Sequence, residues 1–275
     1  MISALSCRLR LLRRCMLWYI SARQYWFKDS DFEVAFVTAA DSTHSRSLLQ
    51  LLESLATWEL GSKIVVFDLG LNTNQREKLD QKCIEIGNTE VRTFVYENYP
   101  DYFNIEVNAG QYAWKPVIVS KIASELETPF IWMDAGNLIN KRLSWVRRFL
   151  KRDGFLCPSS SGTIRDWTHE GMLKCLNVSS ELLTLTNLNG AVIGFDPRLP
   201  RVQDLIDRWA ACALRQDCIA PSGSTRENHR QDQAALTVLA YQVGMVSPSR
   251  PYYANLIYEP MGLKIQCDID EKLDL

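Results

Sequence analysis

Histidine is scarce in this chain: three residues in 275, and none of the eight cysteines stands in a Cys-x-x-Cys pair. Structural zinc needs four clustered nitrogen and sulfur ligands, so a zinc-finger type of organisation is excluded. An excess of one charge is missing too, with 31 basic residues against 32 acidic and a net charge of −1. A nucleic-acid binder would show a basic stripe or interleaved aromatic residues, and neither is present. Long hydrophobic runs are also absent. The longest uncharged run of the arginine-rich start, Cys15 to Ala22, is far short of the roughly 20 residues that span a bilayer. There is no internal repeat, and no linker long enough to split the chain. Scattered at positions 7, 15, 83, 157, 175, 212, 218 and 267, the cysteines read as reduced thiols of a cytoplasmic protein. The sequon Asn177-Val178-Ser179 gains meaning only if the chain is secreted.

What is present is an ordinary globular composition, 47% hydrophobic and 23% charged, on a chain long enough for one large α/β domain. Residues 1–27 stand apart. Arg8, Arg10, Arg13, Arg14 and Arg23 lie among apolar residues with no acid before Asp29. A cleavable signal peptide fits this stretch poorly, because arginines interrupt its apolar residues. Two readings stay open for residues 7–23: a basic amphipathic segment touching an anionic membrane surface, or a loosely packed terminus. Residues 28–275 read as a single domain.

From residue 32 the chain alternates. "FEVAFVTAA" (32–40), "KIVVFDLG" (63–70), "EVRTFVYE" (90–97) and "PFIWMDAG" (129–136) are compact apolar or β-branched runs that predict buried strands. Between them, 45–58 carries Leu48, Leu49, Leu52 and Leu55 at helical spacing. Residues 73–87 predict a helix with Thr73 as its N-cap and Gly87 past its end, and 114–126 one with Pro116 in its first turn. Further helices are expected over 144–152, from about Glu170, over 199–216 and over 228–244, with a strand in "NLNGAVIGFDPR" (187–198). Nearly all-apolar strands separated by helices predict a mostly parallel central sheet flanked by helices on both faces. In such sheets ligands sit at the carboxyl ends of the strands. Asp134, closing the apolar run "PFIWMD", is then a central-strand acid facing a ligand, or the cap of the next turn.

Three segments in this order, "WMDAGNLI", "NLNGAVIGF" and "RQDQAALTVLA", resemble the landmarks of GT-A-fold nucleotide-sugar glycosyltransferases of the glycogenin-like and galactosyltransferase-like kind. "YAWKPVIVSKI" and "WTHEGML" are similar to landmarks of a less characterised, often bacterial branch. The resemblance covers roughly residues 32–260. It implies a GT-A-like α/β fold, a nucleotide-diphosphate sugar donor, a glycan-type acceptor (glycan, lipid-linked saccharide or protein) and the chemistry of polysaccharide biosynthesis. No nucleic-acid partner and no organic cofactor are expected.

The resemblance assigns Thr38, Ala39, Asp41, Lys115, Asp134, Gly136 and Arg230 to the donor. Asp41 is equally open to capping the helix from Ser45, and Lys115 to being a solvated surface lysine. Trp167, His169, Gly190 and His229 fall on the acceptor side, where rings pack on sugar C–H faces. Tyr112 and Trp114 either stack on the base or fill the core. Asn189, Asp232 and Gln233 are the catalytic candidates, Asp232 as the carboxylate base of an inverting reaction. The chain departs from the pattern at Gly136, where the family has a second aspartate that helps hold Mn²⁺ or Mg²⁺. Asp134 would be the remaining acidic ligand, with the Asn137 amide oxygen beside it, and the family's C-terminal histidine has no counterpart. Metal dependence is therefore left open. The alternative function is a non-catalytic relative that binds a nucleotide or glycan. A nucleotidyltransferase is disfavoured because "TAADSTHSR" contains no glycine.

Overall fold

A computed structural model describes residues 32–246, 262–265 and 267–269. Contacts divide the chain into Met1–Phe32 and a compact unit Glu33–Leu275, to which everything below belongs. The expected basic segment 7–23 and the boundary at residue 27 lie outside the described residues.

Six strands form the main sheet in the order β3 (Thr89–Thr93), β2 (Ile64–Asp68), β1 (Ala35–Ala40), β4 (Phe130–Met133), β9 (Val192–Phe195) and β6 (Phe155–Leu156). The pairs β1–β2, β2–β3 and β1–β4 are parallel; β4–β9 and β6–β9 are antiparallel. Two small antiparallel pairs complete the described strands: β5 (Leu138–Ile139) with β10 (Leu263–Lys264), and β7 (Ser159–Thr163) with β8 (Thr186–Leu188). The expected mostly parallel sheet is present, and its central strands are buried on both faces. Every residue of β1, β2, β4 and β9 is buried, which is why these runs are almost purely apolar rather than alternating.

The helices fall where the sequence periodicity predicts them. Helix α1 (Ser45–Trp58) buries Leu48, Leu51, Leu52 and Leu55, each removal from water contributing roughly 1.5–3 kcal/mol. Helix α2 (Thr73–Ile86) is capped by Asn72, whose side chain accepts from the Gln75 backbone while Gln75 reaches back. Asn72 therefore takes the role expected of Thr73: the carboxamide one residue earlier already satisfies the free N–H. Helix α3 (Trp114–Glu125) packs against α7 (Pro200–Ala213), which begins with its proline at the first helical position. Helix α4 (Ser144–Asp153) ends at Gly154 in the left-handed conformation. Short helices α5 (Ile164–Trp167), α6 (Glu170–Cys175) and α8 (Gln216–Ile219) were not legible as separate elements, except for the start of α6. Helix α9 (Gln231–Gln242) is buried along nearly its whole length.

One cysteine expectation is corrected. Cys212 and Cys218 are joined in a disulfide across the turn between α7 and α8. They are six positions apart in sequence, a spacing that matches no metal or redox motif, so only the fold of that turn brings their Cα atoms to 5.3 Å. Cys83, Cys157, Cys175 and Cys267 are free thiols.

Candidate active site

The chain runs from β1 outward to β2 and β3, then returns to the other side of β1 with β4. The two loops that leave the carboxyl ends of β1 and β4 therefore diverge, opening the crevice that open α/β sheets use for ligands. A cavity of about 400 Å³ lies there. It gathers Ala39, Asp41, Lys115, Asp134, Gly136, Trp167, Asn189, Gly190, Arg230, Asp232 and Gln233, together with Tyr112 and Trp114. Residues as far apart in sequence as Ala39 and Gln233 converge on one site.

Its floor is a charge cluster in which Lys115 and Asp232 are buried and Asp134 is partly exposed. The Lys115 ammonium lies 2.9 Å from Asp134 Oδ1 and 3.0 Å from Asp232 Oδ2, and donates to the Gly190 carbonyl at 3.3 Å. Burial pushes the lysine's pKa down, but the two aspartates outweigh it and hold the group firmly charged. Burial, followed by the nearby Asp134, raises the Asp232 carboxyl above the ordinary range in spite of Lys115. The Trp114 and Trp132 rings flank the ammonium at 5.9 and 5.6 Å from their centroids, and Trp132 Nε1 donates to Asp134 Oδ1 at 2.7 Å. The ammonium thus forms ion pairs with two carboxylates and donates one hydrogen bond, to the Gly190 carbonyl. Lys115 was expected to meet the donor diphosphate; its place in the structure is to organise two carboxylates instead.

Unengaged cations lie elsewhere on the cavity wall. Arg226 stacks over Tyr112 at 4.7 Å and Arg230 over Trp167 at 4.2 Å. Among the described residues neither guanidinium meets a carboxylate. Burial, then the like charge of Arg226, lowers the Arg230 pKa. Two cations that repel each other on ring platforms form a setting that an anion would relieve. The Arg230 backbone N–H donates to the Trp167 carbonyl at 3.0 Å, so Arg230 is tied to the residue whose ring it covers.

At the end of β1, Asp41 Oδ1 accepts from the Thr43 N–H and hydroxyl and lies 2.7 Å from His44 Nδ1. Asp41 thus ties the turn before α1, and the helix itself has no side-chain cap. Burial opposes it, but the His44 and Thr43 hydrogen bonds hold the Asp41 carboxyl below its usual range, and Asp41 raises His44.

The metal question turns on Gly136. A Cβ there would collide with the carboxylate of Asp268, which approaches from the C-terminal segment. That segment is pinned by Cys267 N–H to the Gly136 carbonyl at 2.6 Å and by Ile269 N–H to the Ser47 hydroxyl at 2.8 Å. Asn137 donates its amide to the Asp134 and Ala191 carbonyls, both at 2.8 Å, and its Oδ1 is buried without a hydrogen-bond partner. With Asp134 held by Lys115, no three His, Cys, Asp or Glu side chains among the described residues converge to hold a metal ion. The donor set of the described residues does not fit a divalent cation.

Three expected site residues fall outside the cavity lining. Thr38 is buried inside β1 with its hydroxyl unpartnered. His229 is fully buried, within 3.0 Å of the Ile219 carbonyl, and Nδ1 accepts from the His169 N–H. Burial lowers its pKa to about 4, so it is a neutral structural imidazole. His169 caps α6 by accepting from Gly171 N–H. Asn189 lines the cavity while its Oδ1 holds the Ala191 N–H at 2.7 Å.

Sequence reasoning missed His44, Arg226 and Asp268, all in the lining. Arg226 carried a signal, four residues before Arg230 in "RENHR". Asp268 carried none, because only the return of the C-terminal segment brings it to Gly136.

A family model described as a protein of unknown function (DUF1647) matches residues 20–120. No curated protein matches the sequence. Among solved structures, the galactosyltransferase LgtC in complex with donor and acceptor sugar analogues superposes with a TM-score of 0.52 at 14% identity, covering 85% of this chain and 87% of that one. An active-site mutant of LgtC gives 0.55 at 14% identity, covering 86% and 88%. The bifunctional glycosyltransferase WbbM gives 0.50 at 12% identity, covering 77% of this chain, which spans only 38% of WbbM. The chain has the GT-A glycosyltransferase fold, with its mostly parallel sheet and flanking helices.

Proposed function

We propose that this protein transfers a glycosyl unit from a nucleotide-diphosphate sugar to an acceptor hydroxyl. The observation that carries the reading is the pairing of the Lys115–Asp134–Asp232 charge cluster with two ring-stacked arginines that meet no carboxylate among the described residues, at the switch point of a GT-A sheet. The neighbouring structures' names as glycosyltransferases and the donor and acceptor analogues in one of them add support.

In this reading the departing diphosphate is met by Arg226 and Arg230, whose fixed positive charge stabilises the developing negative charge without reorganisation. No step is routed through a metal ion. Tyr112 and Trp167 hold those guanidiniums in place. Asp232, held by Lys115 with a raised pKa, is the carboxylate nearest to a general base and would take the acceptor proton. Asn189, Gly190 and Gln233 shape the wall beside it.

A thermal-shift panel of UDP, GDP, CMP and dTDP, each with Mn²⁺ and with EDTA, tests the donor site. We expect one nucleotide to raise the melting temperature equally in both conditions. No shift with any of them would sink the reading. An Arg226→Ala/Arg230→Ala variant should lose that shift. Asp134→Ala should abolish turnover with the fold intact.

A non-catalytic binder is the second reading, favoured by the replacement of the family's second acid by Gly136. Hydrolysis of the identified donor without acceptor separates the two: stabilisation without any turnover would select the binder.

A further inference from the structure

The sequon Asn177-Val178-Ser179 lies outside the cavity lining. Helix α6 ends there in a Schellman motif. The Val178 N–H donates to the Leu173 carbonyl at 2.9 Å and the Asn177 N–H to the Lys174 carbonyl at 3.2 Å. Asn177 sits at the left-handed position, φ 50°, where glycine is preferred and asparagine second. Glycine would close this turn better, so the turn alone does not explain the carboxamide. The side chain is exposed and makes no hydrogen bond among the described residues, and Ser179, also exposed, caps the following turn without using its hydroxyl. Both groups an N-glycan acceptor needs, amide and hydroxyl, therefore stand free on the surface.

A second, separate observation bears on compartment. The Cys212–Cys218 disulfide belongs to chains that fold under oxidising conditions and is rare in the cytosol. Helices α6 and α8 pack together, so the bonded turn and the sequon share one side of the protein.

We infer that this protein is N-glycosylated at Asn177 during passage through an oxidising secretory compartment. The Asn177 amide nitrogen attacks the anomeric carbon of a lipid-linked diphosphate oligosaccharide. The N–C bond forms, the C–O bond to the diphosphate breaks, the lipid diphosphate leaves, and the amide loses one proton. Closure of Cys212–Cys218 oxidises two thiols, passing two electrons and two protons to the disulfide of a thiol-disulfide oxidoreductase. The placement replaces the cytoplasmic location expected from the scattered cysteines.

The test uses the full chain immunopurified from the cells that produce it, digested without reduction. Peptide-N-glycosidase in ¹⁸O water should convert Asn177 to labelled aspartate, and one disulfide-linked species should join the peptides of Cys212 and Cys218. Expressed in the same cells, Ser179→Ala and Asn177→Gly should both lose the glycan mass, the first melting within about a degree of the deglycosylated parent and the second no lower than it, because neither hydroxyl nor carboxamide supports the fold and glycine suits the left-handed turn. Unmodified Asn177 with free thiols overturns the inference through the compartment. Unmodified Asn177 with an intact disulfide overturns it at the site itself.

Discussion

Lys115 has all its partners inside the protein: ion pairs to Asp134 and Asp232 and a hydrogen bond to the Gly190 carbonyl. Lys115→Met leaves the buried Asp232 carboxylate without its cation and facing Asp134, and stranding a buried charge costs about 3–5 kcal/mol. A drop in melting temperature of roughly ten degrees is expected at pH 7.5. The deficit should shrink on acidification, because Asp232, already raised in pKa, then takes a proton and removes the repulsion. Calorimetry of both proteins between pH 5 and 8 checks this, and a deficit independent of pH would show that packing rather than charge is lost. His229 gives the opposite kind of pH dependence. Its folded pKa lies near 4 against an unfolded value of 6.5. Between those values the unfolded chain binds the extra proton, so stability falls as pH falls, by roughly 3 kcal/mol over the window. His229→Gln should flatten the decline of melting temperature from pH 7 to 4.5. The sequence supplied the identity of both residues but assigned each to ligand contact. Nothing in a linear pattern tells a histidine or lysine that its partners are internal.

At the scale of elements, helix positions were largely legible because apolar periodicity and capping residues are local. The link between α1 and α4 was not. Arg147 grips Glu59 through paired contacts of 2.6 and 2.9 Å, with both side chains buried, and Glu59 also accepts from the Leu143 N–H. Arg147→Met should cost about 3–5 kcal/mol by stranding the glutamate, whereas a further Glu59→Leu should recover much of it. Chemical denaturation of single and double variants reads that coupling. A second element escaped prediction altogether. Asn108, Ala109, Gly110, Gln111 and Tyr112 all have positive φ, between 49° and 58°, a left-handed turn that L-residues adopt at roughly 1 kcal/mol each. It is held by Trp114 Nε1 on the Ala109 carbonyl at 3.0 Å and delivers Ala109 and Tyr112 to the cavity. A Cβ on Gly110 would collide with the Phe103 carbonyl oxygen. Gly110→Ala should therefore lower the melting temperature and weaken the nucleotide-induced shift together. A shift of unchanged size would separate the turn from the site.

For the whole molecule, the disulfide offers a global check. Its six-residue separation corresponds to about 2 kcal/mol of restricted unfolded-chain entropy, so reduction or Cys212→Ser/Cys218→Ser should lower the melting temperature by several degrees. Among the described residues no helix is long and apolar enough to cross a membrane. The sequence alone determined the α/β alternation, the strand runs, most helix positions and the GT-A likeness, because burial of apolar strands and helical periodicity are written in neighbouring residues. It also determined the acids and bases from which a site is built. Only the tertiary structure decided how they are used. The order β3-β2-β1-β4-β9-β6 opens the crevice beside β1, and its convergence pairs Lys115 with residues 19 and 117 positions further on. The same convergence frees Arg226 and Arg230, sets Asp268 against Gly136, and closes Cys212 on Cys218. Each of these depends on distances across the fold, which no spacing along the chain encodes.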